Sequence, residues 1–337
     1  MARLLTPMSM SLLLPLIAVS PRTSSPRSGI WTSLLARWGT LVVVISLLGS
    51  PAVSADSVRV ESDLGFLEPG RKEKLDLYLP ADGVEAKVQG KGRPAVVWIH
   101  GGGWINGTKS EKRAKEICTT LAEAGYVAVS IDYRLGKGAW PQNLHDCKNA
   151  VRFLRAQAAR YGIDPARIAV AGGSAGGHLA LMVGFTADQP DLEPSAPYPG
   201  VSSSVRCVID MYGITNILTR QKTDSTGQPT GERFLSSAST VYGTDDEHAP
   251  VLKLGSPVTH VTPTSPPVLI LHGRADTTVD YPQSEELARA LARQGVPHEL
   301  ILLEGVGHTF TLETWRNQPL SRDLRPVVLA FLQKHLL

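Results

Sequence analysis

Cysteine is scarce: three residues in a chain of 337, an odd number that excludes a framework of paired disulfides. Cys118 shares helical spacing with Ala114, Ile117 and Leu121, Cys147 with Ala150, Val151 and Leu154, and Cys207 sits in an apolar run. Each reads as a buried thiol, although spacing does not decide whether two of them are bridged. No metal-ligand spacing occurs among them, so no metal site is expected. Acidic residues are missing from the first 55 positions, which hold Arg3, Arg22, Arg27 and Arg37. Without those four arginines the formal charge falls from +3 to −1, so the pI of 8.7 describes the leader and not the body. A near-neutral body lacks the clustered basic surface that nucleic acid or an anionic membrane demands, and neither is expected as a partner. Internal repeats and heptads are also missing.

No apolar run reaches the roughly 20 residues that cross a bilayer as a helix. The leader has two shorter ones, Met8 to Val19 and Leu41 to Leu48. The second follows Arg37 and precedes small residues ending Val53-Ser54-Ala55, the layout of a signal peptide cleaved after Ala55. The expectation is therefore a leader over 1–55, export, no stable membrane insertion after cleavage, and one catalytic domain over 56–337. A retained anchor is the weaker alternative.

Beyond the leader, Val58 to Gly65, Leu75 to Leu79 and Pro94 to Ile99 read as strands. A strand–helix alternation follows. Thr108 and Glu111 have capping-box spacing ahead of a helix that ends at Gly125. Strands are expected over 126–131, 167–171, 205–211, 268–271 and 299–303, with helices over 143–161, 175–185, 284–293 and from about Leu324. That order predicts an α/β fold with a mostly parallel sheet covered by helices on both faces. Two stretches rich in Pro, Ser, Thr and Gly, 187–204 and 219–264, are expected to be irregular. They leave the strand ends where an open sheet binds ligands, and read either as a pocket rim or as solvated loops.

The sharpest motif is Gly172-Gly173-Ser174-Ala175-Gly176, a G-x-S-x-G between a strand and an apolar helix. In such a strand-to-helix turn the serine is lifted clear of the sheet, and Gly172 and Gly176 provide room where side chains would clash. Ser174 is thus the candidate nucleophile. His100-Gly101-Gly102-Gly103-Trp104 follows another strand and has the form of an oxyanion-binding loop, so Gly102, Gly103 and Ala175 are the candidate amide donors. Chain order in this arrangement runs serine, acid, histidine, which sets aside His100 and His145. His178, four residues after Ser174 on the same helix, reads as structural. His308, in the flexible Gly305-Val306-Gly307-His308 loop after the last strand, is the candidate base. The acid must hold that imidazole from a strand end, and Asp276 meets the demand. Asp280 competes but reads as the cap of the next helix, and Asp210 is the outside candidate.

Taken together these residues resemble the α/β-hydrolase superfamily, in particular carboxylesterases with an HGGG loop, near the hormone-sensitive-lipase-like and bacterial acetyl or feruloyl esterase groups. Asp132-Tyr133-Arg134-Leu135, Tyr161-Gly162-Ile163-Asp164-Pro165, Gly176-Gly177-His178-Leu179-Ala180 and Ser256-Pro257-Val258 are similar to segments of those enzymes. The resemblance implies a cofactor-free serine esterase with Ser174, Asp276 and His308 as its triad and a small-molecule or polysaccharide-linked ester as substrate. Trp104, Tyr133, Phe234 and Tyr242 are candidates for an acyl or aryl pocket, or for core. Gly173, in place of a common Asp, Arg274, in place of a frequent acid, and Ile214-Thr215-Asn216 depart from the pattern. An amidase or aryl formamidase, and a binding protein on a hydrolase scaffold, are the alternatives.

Overall fold

The computed structural model describes residues 58–81, 92–187, 189–235 and 237–336. The expected leader, 1–55, lies outside them. In chain order the elements are β1 (Val58–Leu64), β2 (Leu75–Pro80), β3 (Arg93–Ile99), α1 (Lys112–Glu123), β4 (Val127–Ile131), α2 (Gln142–Ala156) and α3 (Ala158–Tyr161). Then follow β5 (Ile163–Gly173), α4 (Ala175–Phe185), β6 (Val208–Met211), β7 (Gln221–Thr223), β8 (Pro229–Arg233), α5 (Ser237–Tyr242) and α6 (Pro250–Leu254). The chain closes with β9 (Val268–Gly273), α7 (Pro282–Arg293), β10 (His298–Leu303), the two-residue strands β11 (Thr314–Trp315) and β12 (Gln318–Pro319), and α8 (Arg325–Leu336).

Eight strands make one sheet in the order β1-β2-β4-β3-β5-β6-β9-β10. The first two pairings are antiparallel and every pairing from β4 onward is parallel. This is the expected α/β architecture. The central strands β3, β4 and β9 are largely apolar because both faces are covered: Val97 and Val129 join one core with Leu144, Leu179 and Leu287, while Val96 and Trp98 join the other with Ile117, Leu121 and Phe331. Helices α2, α4 and α7 therefore lie on one face, α1 and α8 on the other. Helix α4, apolar all round, is the most enclosed, with ten of its eleven residues buried.

Three local expectations are corrected. Glu111 stands at the N-cap of α1 without a side-chain cap, so Thr108 and Glu111 form no capping box. Thr108 Oγ1 donates instead to Asp132 Oδ1, which also accepts from the Lys109 amide at 2.8 Å. The single helix expected over 143–161 is broken at Gln157, and the left-handed Gly162 (φ 63°) turns the chain into β5. The stretch 219–264 is not structureless: it holds the β7–β8 hairpin, α5, α6 and a turn of 3-10 helix over Pro257–His260.

Candidate active site

Ser174 stands between β5 and α4 with φ 59° and ψ −122°, a conformation that L-residues adopt only under tertiary constraint. The constraint is visible. Its N–H donates to Met211 O at 2.9 Å, and the flanking glycines lie on backbone. A Cβ at Gly172 would stand 2.2 Å from Gly176 O, and one at Gly176 2.0 Å from Ile99 O. The turn is thus wedged between its own helix and the end of β3.

The glycine loop leaves β3 directly against this turn, since a Cβ at Gly101 would come within 3.2 Å of Ser174 Cβ. Gly102 (φ 105°) and Gly103 (φ 61°) are left-handed, and Gly102 O accepts from the Ile105 and Asn106 amides at 3.2 and 3.0 Å. That reverse turn is closed tightly enough that a Cβ on Gly102 would meet Asn106 O at 2.1 Å. Among the described residues, no acceptor takes the amide hydrogens of Gly102, Gly103 or Ala175. The loop rests on aromatic supports: Tyr133 donates its hydroxyl to His100 O at 2.9 Å, and Trp104 Nε1 donates to His178 Nδ1 at 3.3 Å. Trp104, Tyr133 and Tyr242 are buried in the core, while Phe234 packs under the Arg220 guanidinium. His178 is fully enclosed, donates from Nε2 to Gly255 O at 2.7 Å, and is pushed down to about 4 chiefly by burial. It lies under the loop as a support.

His308 comes from the loop after β10 and Asp276 from the loop after β9. The two loops touch through backbone, because a Cβ on Gly273 would meet Val306 O at 2.1 Å. The imidazole lies between the other two side chains, with Nε2 3.0 Å from Ser174 Oγ and Nδ1 2.6 Å from Asp276 Oδ2. A carboxylate at that distance fixes the proton on Nδ1 and leaves Nε2 to accept from the serine hydroxyl. The ring is held from both sides. Its own carbonyl accepts from Trp315 Nε1 at 3.0 Å, and Tyr212 meets it edge-on at 4.8 Å between centroids.

Asp276 is fully buried, and Oδ1 accepts from the Thr278 and Val279 amides at 2.8 and 2.9 Å. Burial pushes its carboxyl up, but hydrogen bonds from His272 and His308 outweigh that and hold it well below the usual carboxylate range. His272, whose Nε2 lies 3.3 Å from Asp276 Oδ2, carries no role in the expectations above. Its place four residues before the acid, at the end of the same strand, was the available signal.

The rival acids stand elsewhere. Asp280 is not a helix cap: Tyr281 occupies the N-cap of α7, and Asp280 Oδ1 accepts from the Gln221 amide at 3.1 Å. Asp210 lies beneath the turn, where Oδ1 accepts from the Gly213 amide at 3.0 Å. Among the described residues, no cluster of His, Cys, Asp or Glu is arranged to hold a metal ion, and no helix is long and apolar enough to cross a membrane.

A family model, BD-FAE, matches residues 75–291, well over half of the chain. The chain belongs to the BD-FAE family. Ser174 and Asp276 fall inside the matched range and His308 lies beyond it. Esterase LipC of Mycobacterium tuberculosis is 34% identical over 228 residues, covering 66% of this chain and 54% of that protein. The chain spans about half the length of the curated relatives it matches. Among solved structures, a truncated carbohydrate esterase from gut microbiota is 25% identical with a TM-score of 0.68, over 84% of this chain and 98% of the other. An acetyl ester-xyloside bifunctional hydrolase from Caldicellulosiruptor lactoaceticus is 25% identical with a TM-score of 0.63, over 81% and 92%. For a BD-FAE protein the resemblance to α/β-hydrolase carboxylesterases, drawn above from motifs, agrees with these matches.

Proposed function

We propose that this protein is a serine esterase for short-chain carboxylic esters, acetyl or feruloyl, whose alcohol is a sugar or a polysaccharide. The observation that carries the reading is the His308 imidazole, bridging Ser174 Oγ at 3.0 Å and Asp276 Oδ2 at 2.6 Å. His308 Nε2 removes the hydroxyl proton as Oγ attacks the ester carbonyl, and Asp276 offsets the charge that the ring acquires. The carbonyl oxygen becomes an oxyanion against the amides of Gly102, Gly103 and Ala175, where one donor is worth about 3 kcal/mol in the transition state. The C–O bond to the alcohol then breaks, and the leaving oxygen takes the proton from Nε2. Water repeats the sequence on the acyl-enzyme, releasing the acid and restoring Ser174. The sugar assignment is supported by the similarity to a carbohydrate esterase and to an acetyl ester-xyloside hydrolase. Residues 1–55 are proposed as an export leader and 56–337 as the catalytic domain, on the pattern ending Val53-Ser54-Ala55.

Turnover of p-nitrophenyl acetate and of acetylated xylan, lost in a folded Ser174→Ala variant, is the expected result. Undiminished turnover in that variant would overturn the reading.

A further inference from the structure

His272, next to last in β9, has its ring fully buried, and the reaction just described makes no use of it. Its Nε2 lies 3.1 Å from Val279 O and 3.3 Å from Asp276 Oδ2, and its Nδ1 lies 2.7 Å from Ser284 Oγ. Both groups facing Nε2 are acceptors, so Nε2 carries the proton. The Ser284 hydroxyl then donates to Nδ1, so that both ring nitrogens are satisfied. The proton on Nε2 is donated to Val279 O, and Asp276 Oδ2, the oxygen 2.6 Å from His308 Nδ1, lies 3.3 Å from the same Nε2.

We infer that His272 is a positioning residue for the hydrolytic site: its Nε2–H, bonded to Val279 O in the acid's own loop and 3.3 Å from Asp276 Oδ2, holds that carboxylate in place and draws off part of its charge, so that a second imidazole sets the basicity of the first. The kinetic side of this inference rests on the esterase reading, whereas the tautomer does not. A carboxylate's terminal torsion is soft, so its orientation must come from its donors. Oδ1 is tied by two backbone amides, and Oδ2 lies 2.6 Å from His308 Nδ1 and 3.3 Å from His272 Nε2. Charge shared with these neighbours is less available to any one of them, so His308 meets a weaker counter-charge than an isolated Asp276 would give it. The other titratable and charged groups around this cluster are Asp210 on β6, Asp280 in the same loop, and Arg220, which faces Asp276 and Asp280. His272 acts on Asp210 and Asp280 as well, so the leucine variant is read against the glutamine variant, which keeps the donor.

Two variants and one spectrum test it. In His272→Leu the carboxylate gives its undivided charge to His308. The acidic limb of the kcat/KM profile for p-nitrophenyl acetate is then expected to move up by roughly one pH unit, with kcat falling about tenfold and KM little changed. His272→Gln, whose amide nitrogen reaches the Nε2 position, is expected to bring the limb back close to the wild type. A limb that stays in place in His272→Leu while kcat falls means packing alone and overturns the inference. Long-range proton–nitrogen correlation spectra of the wild-type protein are expected to show His272 protonated on Nε2 at neutral pH. Protonation on Nδ1 overturns the inference even where the leucine variant fails to fold. Absence of all ester turnover in the wild type would sink the esterase reading instead, leaving the tautomer and the titration of His308 to decide the role of His272.

Discussion

Tyr212 occupies the space that a side chain at position 173 would require: a Cβ built on Gly173 stands 2.9 Å from the Tyr212 hydroxyl and 3.0 Å from its ring. The same tyrosine donates its hydroxyl to Phe310 O at 3.0 Å and presents its ring to His308. The departure at Gly173 from the acid common in the resembling enzymes is therefore tied to the seat of the proposed base. Gly173→Ala is expected to push Tyr212 off Phe310 O and disturb His308, lowering kcat on p-nitrophenyl acetate about tenfold and stability by about 1–3 kcal/mol. Tyr212→Phe removes the nearest atom. In a double-mutant cycle read by urea unfolding and by kcat, the pair is expected to lose less than the sum of the single changes. Strict additivity would mean that the two positions do not compete for space.

A second backbone contact links the β7–β8 hairpin to the acid. Gly227, at the hairpin turn with φ 88°, is so close that a Cβ there would stand 2.6 Å from Ala275 C and 2.8 Å from Asp276 N. Gly231, in the same hairpin with φ 82°, faces open space. Both positions carry the strain of a left-handed side chain, about 1 kcal/mol, but only Gly227 also meets the acid loop. Gly227→Ala is expected to lower kcat by tenfold or more through displacement of Asp276, while Gly231→Ala leaves kcat within about twofold. Steady-state kinetics on the two variants side by side checks this, and equal effects would detach the hairpin from the site.

The parallel strands and the central helix were legible because continuous apolar runs between Gly-rich turns have few other ways to be buried. Ser174, Asp276 and His308 are picked out by residue type and chain order, and His308 stands within hydrogen-bonding distance of each of the other two. What escaped depends on contacts remote in sequence. Thr108 is drawn away from capping by Asp132, a partner 24 residues on. The break at Gln157 is hidden because Leu154 before it and Ala158 and Tyr161 after it are all buried at helical spacing, keeping the apolar pattern intact across it. Asp280 has the position of a cap, but Gln221 in the hairpin claims its oxygen. His272 was in view beside Asp276, yet only the turn at Val279 and Ser284 on α7 fix which nitrogen faces the acid.

The thiols give a chemical check on packing. Cys118, Cys147 and Cys207 are all free and buried, and burial pushes each thiol up, away from the reactive thiolate. Native protein is expected to leave Ellman's reagent nearly untouched over minutes, and protein in 6 M guanidinium, a concentration of about the unfolding range, to titrate all three cysteines of the chain. Only one reactive thiol after unfolding would instead reveal a bridge.

Asp210 gives the pH dependence of stability a direction that can be isolated. Burial beneath the Ser174 turn raises its carboxyl from 3.8 to about 7, with His272 and the Gly213 amide drawing it partly back. Below about pH 4 both folded and unfolded chains hold this proton. Between about pH 4 and 7 the unfolded chain has released it and the folded chain has not, so stability falls as pH rises through that window and levels off above it. His178 acts in the opposite sense: burial lowers it from 6.5 to about 4, so the unfolded chain takes up a proton first as pH drops, and stability is lost in that direction. The wild-type profile is the sum of both. Asp210→Asn keeps an oxygen for the Gly213 amide and cannot titrate. The unfolding free energy of wild type minus that of Asp210→Asn, from urea melts at several pH values, is therefore expected to decline by about 1.4 kcal/mol per unit, on the order of 4 kcal/mol in all, between pH 4 and 7. A flat difference across that range would mean that Asp210 is ionised in the folded protein and finds a partner for its second oxygen.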